Sequence, residues 1–310
     1  MNAEQADHPA QALAHAGADA QAVASGDAAS GKALNEAYAY CAELAHSHYE
    51  NFTIASWLMP RAMRRHMYAI YAYARIADDF ADEDRDLGKL DEWERELDLA
   101  YAGTPRHPVF VALADTVRRF DMPREPFADL LRAFRADVDF QGFETMDDLL
   151  GYARYSANPV GRLVLYLFGY RDGERQRLAD RVCSGLQLAN FWQDLAIDLD
   201  KGRIYLPRAD LARFGVTVAD LRVHNADSNF VALMRHEVEF ARALLQAGAE
   251  LAAKVDRRLA RDVLMFAGGG LAILRAIERV DYDVFRRRPR LGKRDYLRLG
   301  WQALRGRLEA

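Results

Sequence analysis

The chain has 310 residues, of which 51% are hydrophobic and 28% are charged, and its formal net charge is -4. This composition excludes an intrinsically disordered chain, and the near balance of charges gives no general reason to bind nucleic acid. Only 20 Gly, 9 Pro and 2 Cys occur, which disfavours an all-β fold and a disulfide-rich secreted protein. No apolar run reaches the roughly 18 residues of a membrane span. We therefore expect an all-α cytoplasmic protein.

The chain divides into a short leader and one long helical region. Residues 1–32 are rich in Ala, Gly and small polar residues and contain no aromatic side chain, which predicts a disordered leader. From residue 33 to residue 310, hydrophobic residues recur at helical spacing and no linker interrupts them. We expect a single all-α domain here, with breaks between helices near residues 52–60, 103–108, 121–126, 142–145, 169–173, 201–207 and 224–228.

A first line of polar residues follows one predicted helix, residues 68–82, whose other side chains are mostly apolar or aromatic. Its members are separated by 4, 3 and 4 positions, so a period of 3.6 residues places them on one face: Tyr71, Arg75, Asp78 and Asp82. Asp78 and Asp82 are one turn apart, where two like charges repel each other. A bound cation would relieve this repulsion.

A second line lies in residues 186–199, with separations of 3, 4 and 4: Gln187, Asn190, Asp194 and Asp198. One such line alone is explained by a solvated helix face. Two matched lines on otherwise apolar helices favour interior locations, where carboxylates need partners. Their oxygens suit Mg2+, which also takes ligands from substrate phosphates. The pattern predicts a magnesium diphosphate site, whereas a di-iron site needs two Glu-x-x-His pairs and only Glu43 and His46 match.

These motifs resemble those of the squalene/phytoene synthase family, and the resemblance covers the chain from about Leu34 onward. It rests on an aspartate-rich motif within a Tyr- and Arg-containing helix, on a second motif Q-x-x-N-x-x-x-D-x-x-x-D, and on a G-R-x-Y-x-P segment at residues 202–207. The resemblance implies the family fold, which is an all-α, single-domain isoprenoid synthase bundle with a central cavity. It also implies that the substrates are prenyl diphosphates.

The resemblance implies roles for individual residues. Two or three Mg2+ ions would be held against the substrate diphosphate by four carboxylates, those of Asp78, Asp82, Asp194 and Asp198. The diphosphate end and the adjoining cavity would be lined by Arg75, Gln187, Asn190, Arg203 and Tyr205. His48 and Phe52 match residues of the family's early helix, and Tyr152 matches a tyrosine that faces the reacting carbons. The catalytic residues implied in this way are Tyr71, Arg75, Tyr152, Asn190 and Tyr205.

Three departures from the family pattern bear on the reaction. Gln193 and Ile197 replace an Arg and a Glu of the second motif, so one positive and one negative charge are lost together. Asn158 and Pro159 replace a Gly and a variable residue after Tyr152, and the Pro should break or kink the helix there. Two small hydroxyl residues of the early helix are replaced by Tyr49 and Asn51.

With these departures the chain resembles the hydroxysqualene synthase branch of the family, from bacterial hopanoid pathways. That branch implies a lyase that converts presqualene diphosphate and water into hydroxysqualene and diphosphate, without NADPH and in functional coupling with other squalene-pathway enzymes. Two alternatives stay open. One is a prenyltransferase that condenses two prenyl diphosphates to presqualene diphosphate or phytoene. The other is a non-catalytic helical assembly protein of the same fold.

The C-terminal residues 286–307 contain nine Arg or Lys residues and a single acidic residue, Asp295. Apolar residues recur there at helical spacing, which predicts a basic amphipathic helix: Leu297, Trp301, Leu304 and Leu308. Two interpretations remain. The helix packs on the domain with solvated arginines, or it makes a peripheral contact with the anionic inner face of the membrane.

Overall fold

The computed structural model describes residues 27–47, 60–292, 295 and 298–300. Every regular element in this part of the chain is a helix, which confirms the predicted all-α class. A 3-10 helix, Ala249–Ala253, lies between the last two α-helices. The α-helices are α1 (Asp27–Ser47), α2 (Arg61–Asp82), α3 (Leu87–Tyr101), α4 (Pro108–Arg119), α5 (Glu125–Val138), α6 (Met146–Ser156), α7 (Asn158–Leu167), α8 (Gly173–Asp200), α9 (Arg208–Phe214), α10 (Val218–Arg222), α11 (Ser228–Gly248) and α12 (Arg257–Glu278).

Most helix boundaries fall where the sequence predicts them. Six predicted breaks separate consecutive helices, from the one near 103–108 to the one near 224–228. The break at 52–60 lies almost entirely outside the described residues. Helix α1 begins at Asp27, six residues before the expected start of the helical region at residue 33, so the end of the expected leader is helical instead. The remainder of that leader, residues 1–26, lies outside the described residues.

Hydrophobic periodicity does not predict three further breaks, and each is made by a capping side chain. Asp86 accepts a hydrogen bond from the Lys89 backbone N–H (3.1 Å) at the start of α3. Thr217 forms a capping box with Asp220 at the start of α10, directly after α9 has ended at a left-handed glycine. Asp256 caps α12. A cap depends on one or two polar residues, so the spacing of apolar residues does not predict it.

The described chain forms two compact units. The first comprises the residues up to Asp139 together with Arg162–Gly173, so it holds α1–α5 and the C-terminal part of α7. The second comprises Phe140–Gly161 and the residues from Glu174 onward, so it holds α6, nearly all of α8, and α9–α12. The sequence predicts one undivided domain because no linker interrupts it. One boundary between the two compact units falls within the continuous helix α7, where the sequence has no linker to mark it.

Helix α2 is central to the first unit, and α1, α3, α4 and α5 all pack against it. Its Tyr73 is fully buried, and the hydroxyl donates to the Phe127 carbonyl at 2.9 Å. The indole N–H of Trp93 in turn donates to the Tyr73 carbonyl at 3.2 Å. These hydrogen bonds anchor α2 at Tyr73, between Tyr71 and Arg75 of the first polar line.

A buried polar group joins α1, α2 and α4. The Tyr38 hydroxyl donates to Asp115 at 2.7 Å and lies 2.9 Å from His66 Nδ1. His66 Nδ1 is also 2.9 Å from the Thr116 hydroxyl. Burial lowers the pKa of His66 to about 3, so the imidazole is neutral at physiological pH. The group is therefore a hydrogen-bonded link between three helices, in which His66 is neutral and the charge of Asp115 is paired with Arg118 and Arg119.

In the second unit, α8, α11 and α12 approach closely at glycines. A Cβ atom on Gly185 of α8 would lie 2.7 Å from Leu245 Cγ, and one on Gly270 of α12 would lie 2.8 Å from Leu245 Cδ1. A Cβ atom on Gly248 would meet the backbone nitrogen of Val182 at 2.7 Å. Side-chain-free positions therefore set how closely α8, the helix of the second polar line, packs against its neighbours.

Candidate active site

The first polar line occupies the C-terminal half of α2, with Arg75 at its centre. The guanidinium of Arg75 pairs with Asp79, lies 3.4 Å from Asp78 Oδ2, and lies 3.7 Å from Glu83 Oε1. The Arg75 side chain is only 28% exposed, so solvent screens these pairs incompletely. Arg75 thus supplies part of the positive charge that the sequence led us to expect from a bound cation.

The two ends of this line differ in burial. Tyr71 is half-buried one turn before Arg75, and this burial raises the pKa of its hydroxyl, although the Arg75 charge acts in the opposite direction. The hydroxyl is therefore a neutral hydrogen-bonding group at physiological pH. Asp78 is half-buried and Asp82 is exposed. The first polar line is therefore more exposed to solvent than the apolar residues around it in the sequence predict.

The second polar line runs along α8. Asp194 is only 14% exposed, Gln187 and Asp198 are half-buried, and Asn190 is exposed. The side-chain amide nitrogen of Asn190 lies 3.4 Å from Asp194 Oδ2. The residues that flank the line are buried, as the apolar pattern predicts: Leu188, Ala189, Phe191, Trp192 and Leu195. The line is thus a narrow polar stripe on a helix that is otherwise largely buried.

The G-R-x-Y-x-P segment turns the chain back at the end of α8. Gly202 has a φ of 76°, a left-handed conformation that favours glycine, and the Arg203 backbone N–H donates to the Asp198 carbonyl at 2.7 Å. Arg203 is half-buried directly after this turn, and Tyr205, two residues later, is 6% exposed. The turn therefore keeps the backbone of Arg203 next to that of Asp198.

Five rings of the second unit form what we call the aromatic cluster: Phe140, Phe143, Tyr152, Phe191 and Tyr205. Tyr205 stacks on Phe191 with ring centroids 3.7 Å apart, and Phe140 lies 4.9 Å from Tyr205. Phe143 lies 5.4 Å from Tyr152 and 6.3 Å from Tyr205. The cluster connects the two tyrosines that the sequence assigns to the reacting carbons and to the diphosphate end.

The Asn-Pro departure ends the helix that carries Tyr152. Helix α6 ends at Ser156 and α7 begins at Asn158, so the predicted break is confirmed. The Asn158 side chain is buried, and its carbonyl oxygen accepts a hydrogen bond from the Ser184 hydroxyl at 2.9 Å. A glycine at this position could not make this bond. The substitution therefore both interrupts the helix and ties its continuation to α8.

The two residues at positions 193 and 194 contact a distant basic segment. Gln193, which stands where the family motif has Arg, donates from Nε2 to the Pro289 carbonyl at 2.7 Å. The next residue along α8, Asp194, pairs through both carboxylate oxygens with Arg288, whose Nη2 lies 3.0 Å from Oδ2 and whose Nε contacts Oδ1. A positive charge thus reaches the second motif from residue 288 and not from residue 193.

The donor set fits a hard divalent cation. Both polar lines offer carboxylate oxygens, the second adds amide oxygens, and neither contains Cys or His. Among the residues that the structure describes, no group of three or more His, Cys, Asp or Glu side chains is gathered closely enough to hold a metal ion. Mg2+ usually takes one or two carboxylates and completes its shell with substrate phosphates and water. Each line offers the ligand chemistry of a Mg2+ ion that also binds a diphosphate, and Mg2+ stays a prediction.

Some residues near the site were not predicted, and two predicted ones cannot be placed. His48 and Phe52 lie outside the described residues. Asp79 is not on the predicted line, although its spacing of four from Arg75 is a signal for an ion pair. Phe140 and Phe143 come from the connection between α5 and α6, where no periodic pattern marks their partners.

Comparison with known proteins agrees with these motifs. The family model described as squalene/phytoene synthase matches residues 48–295. The chain belongs to the squalene/phytoene synthase family. Its relatives include a phytoene synthase from Arthrospira platensis, 32% identical over 82% of this chain and 88% of that protein. Another is a hydroxysqualene synthase from Sinorhizobium fredii, 36% identical over 69% of this chain and 74% of that protein.

Solved structures of the squalene/phytoene synthase family share the fold. The squalene synthase HpnC from Alicyclobacillus acidocaldarius is 44% identical, with a TM-score of 0.77 over 80% of this chain and 95% of that one. A dehydrosqualene synthase in complex with a ligand is 28% identical, with a TM-score of 0.81 over 88% and 97%. The protein therefore has the helical isoprenoid synthase fold and is an enzyme that processes prenyl diphosphates.

The described part of the basic C-terminal segment contacts the second unit. Leu299 is buried, and Asp295 lies 3.6 Å from Arg279 Nη2 while accepting a hydrogen bond from the Gly292 backbone N–H at 2.7 Å. These contacts favour the interpretation in which the segment packs on the domain. Within the described residues, no helix combines the length and apolar character needed to cross a bilayer. A peripheral membrane contact stays a prediction.

Proposed function

We propose that this enzyme is a hydroxysqualene synthase, which converts presqualene diphosphate and water into hydroxysqualene and diphosphate. The observation that carries the proposal is the 36% identity to the Sinorhizobium fredii hydroxysqualene synthase, against 28–32% to phytoene synthases. The altered second motif supports it, since Gln193 and Ile197 replace a charged pair. The Asn158–Pro159 break supports it as well, because it reshapes the helix of Tyr152.

The diphosphate is assigned to the two polar lines. Mg2+ held there would neutralise the charge of the leaving diphosphate, with carboxylate ligands from Asp78, Asp82, Asp194 and Asp198. Arg75 is already oriented by Asp78 and Asp79, so its guanidinium donates to the diphosphate at little entropic cost. We assign the remaining hydrogen bonds at this end to neutral Tyr71 and to polar groups of α8 and the following turn: Gln187, Asn190 and Arg203.

The hydrocarbon is assigned to the aromatic cluster. The bond from carbon to the diphosphate oxygen breaks with its electron pair on the diphosphate, which leaves a carbocation. Aromatic faces such as those of Tyr152 and Tyr205 stabilise positive charge without attacking it. A water oxygen then forms the new bond to carbon, and its proton passes to the departed diphosphate. No electron is supplied from outside, so the reaction consumes no NADPH.

A second candidate is a prenyltransferase that condenses two prenyl diphosphates. It is favoured by the names of the relatives, since phytoene synthases from cyanobacteria, mycobacteria and plants are prominent among them. The two candidates differ in what they need at the site. The prenyltransferase must bind two diphosphates, whereas the hydroxysqualene synthase needs only one.

Product analysis separates the candidates. Purified protein is incubated with Mg2+ and either presqualene diphosphate or farnesyl diphosphate, without NADPH. We expect hydroxysqualene from presqualene diphosphate and loss of the product when EDTA removes the metal. Turnover of farnesyl diphosphate alone, with none of presqualene diphosphate, would establish the prenyltransferase instead. Turnover that persists in EDTA would contradict the assignment of Mg2+ to the aspartates.

A further inference from the structure

The contact between α8 and residues 288–289 engages Asp194, the third residue of the second polar line. Asp194 is only 14% exposed, and both of its carboxylate oxygens are engaged by Arg288. This bidentate arrangement is the strongest geometry available to an Arg–carboxylate pair. The Asp194 carboxylate is therefore already matched by a fixed positive charge.

A metal ion competes with Arg288 for the Asp194 carboxylate while this pair is intact. Mg2+ binds carboxylate oxygens at about 2.0–2.1 Å, and those oxygens now face a guanidinium within hydrogen-bond distance. Adding the ion would bring two positive centres to one carboxylate, and they would repel each other because solvent screens charges at the 14% exposed Asp194 side chain incompletely. Either Arg288 leaves the carboxylate or the ion binds weakly. A diphosphate removes the conflict, since it gives Arg288 another anion to contact.

Gln193 holds Arg288 in place. Its side chain donates to the carbonyl of Pro289, the residue next to Arg288, at 2.7 Å. Pro289 is buried, so this attachment point is anchored on the domain, whereas Arg288 and the arginines around it are exposed. An Arg at position 193 would place its own charge on α8 and would not need this attachment. The replacement of Arg by Gln is therefore matched by a contact that delivers a charge from elsewhere.

We propose that Gln193 and Arg288 form a latch on Asp194 that suppresses binding of a divalent cation in the absence of diphosphate. Gln193 is a positioning residue that acts through Arg288, and Arg288 competes with the cation for the carboxylate. With this latch, the cation binds tightly only when the diphosphate is also bound, so the two ligands bind cooperatively. This inference rests on the proposed assignment of Mg2+ to Asp194, and it is independent of which product the enzyme makes.

Binding of Mn2+ without any diphosphate tests the latch, because Mn2+ prefers the same oxygen ligands as Mg2+ and its binding is measured by electron paramagnetic resonance. We expect Arg288→Gln to tighten Mn2+ binding about fivefold or more, the usual scale of coupling between two sites. Arg290→Gln is the matched control, with the same change of charge two residues away on the exposed surface. It should change the Kd by less than about twofold, since an exposed charge contributes little.

Gln193→Leu tests the positioning role. It should tighten Mn2+ binding in the same direction as Arg288→Gln, and the double variant should bind no more tightly than Arg288→Gln alone, because the two residues act as one unit. Asp194→Asn in the Arg288→Gln background should abolish the gain. Equal Kd values for wild type and Arg288→Gln, or an equal gain from Arg290→Gln, would overturn the latch. A gain that survives Asp194→Asn would instead overturn the assignment of the metal to Asp194.

Discussion

Carboxylates serve two purposes in this protein, and their burial distinguishes them. Asp194 and Asp198 are partly open to solvent and lie on the second polar line, to which we assign a cation and a diphosphate. Glu237 and Asp262 are 0% and 4% exposed, and neither Glu237 oxygen has a hydrogen-bond partner in the structure. Negative charge on Asp194 and Asp198 serves the proposed binding of a cation. Negative charge on the buried Glu237 and Asp262 instead lowers the free energy of unfolding.

Replacing Asp198 should impair catalysis without unfolding the protein. We expect Asp198→Asn to lower turnover of presqualene diphosphate by at least about a hundredfold, the scale seen when one charge-stabilising group is lost. The Tm should stay nearly unchanged, because Asn has almost the same size as Asp and can still form hydrogen bonds at this half-buried position. Asp200→Asn, an exposed neighbour on the same helix, is the control and should keep its activity. A large drop in the Tm of Asp198→Asn would indicate a structural role.

Glu237 should make stability depend on pH. Burial, with a smaller contribution from the charge of Asp210, raises the pKa of Glu237 from its ordinary value of 4.5 to about 8. The folded state therefore retains a proton that the unfolded chain loses, so stability is full below about pH 4.5, falls as the pH rises, and levels off above about pH 8.

Glu237→Gln removes this titration and is measured by thermal unfolding between pH 5 and pH 9. We expect the Tm of the variant relative to wild type to rise with pH, by about 2–4 °C for each kcal/mol of ionisation cost removed. Glu239→Gln, on the same helix with a side chain 58% exposed, should show no such trend. A constant difference between Glu237→Gln and wild type across this range would contradict buried ionisation as the cause.

At the scale of helices, the sequence predicts features that rest on a residue pattern. It does not predict features that rest on a single contact between side chains. Clusters of Gly, Pro and Asn predict six internal breaks, the helical period predicts both polar lines, and Pro159 predicts the break after α6. None of these patterns predicts the caps at Asp86 and Thr217, which rest on one or two side chains each. The pairing of Asp194 with Arg288 joins residues 94 positions apart, and no local pattern specifies such a partner.

Glycine at the α8–α11 contact should be essential for packing. A Cβ atom on Gly185 would meet Leu245 Cγ at 2.7 Å and the Leu245 backbone nitrogen at 3.1 Å, so helices α8 and α11 would have to separate. We expect Gly185→Ala to cost about 1–3 kcal/mol, the usual penalty for overpacking, and to lower the Tm.

The control for Gly185→Ala is Gly269→Ala in the interior of α12. A Cβ atom on Gly269 would have no neighbour within 4 Å. The substitution should therefore stabilise the protein by about 0.5–1 kcal/mol through the better helix propensity of Ala. Both changes are read from thermal unfolding of the two variants. A Gly185→Ala variant as stable as Gly269→Ala would show that α8 does not depend on this close approach.

For the whole molecule, the family and the reaction are inferred from different residues. The paired motifs assign the chain to the squalene/phytoene synthase family, and the family match over residues 48–295 agrees. Our proposal among the family's reactions rests on few positions, such as Gln193 and Pro159. These positions change the surroundings of a shared site and leave the fold intact, so the fold alone does not specify the product.

The central claim is that water captures a carbocation after diphosphate departs. The direct measurement is the reaction of presqualene diphosphate in water enriched in oxygen-18, with Mg2+ and without NADPH, followed by mass spectrometry of the product. We predict hydroxysqualene whose hydroxyl oxygen carries the label of the water. An unlabelled hydroxyl would mean that the oxygen comes from the diphosphate ester and that the carbon–oxygen bond never breaks. Either that result or a product without a hydroxyl group would contradict the proposed reaction.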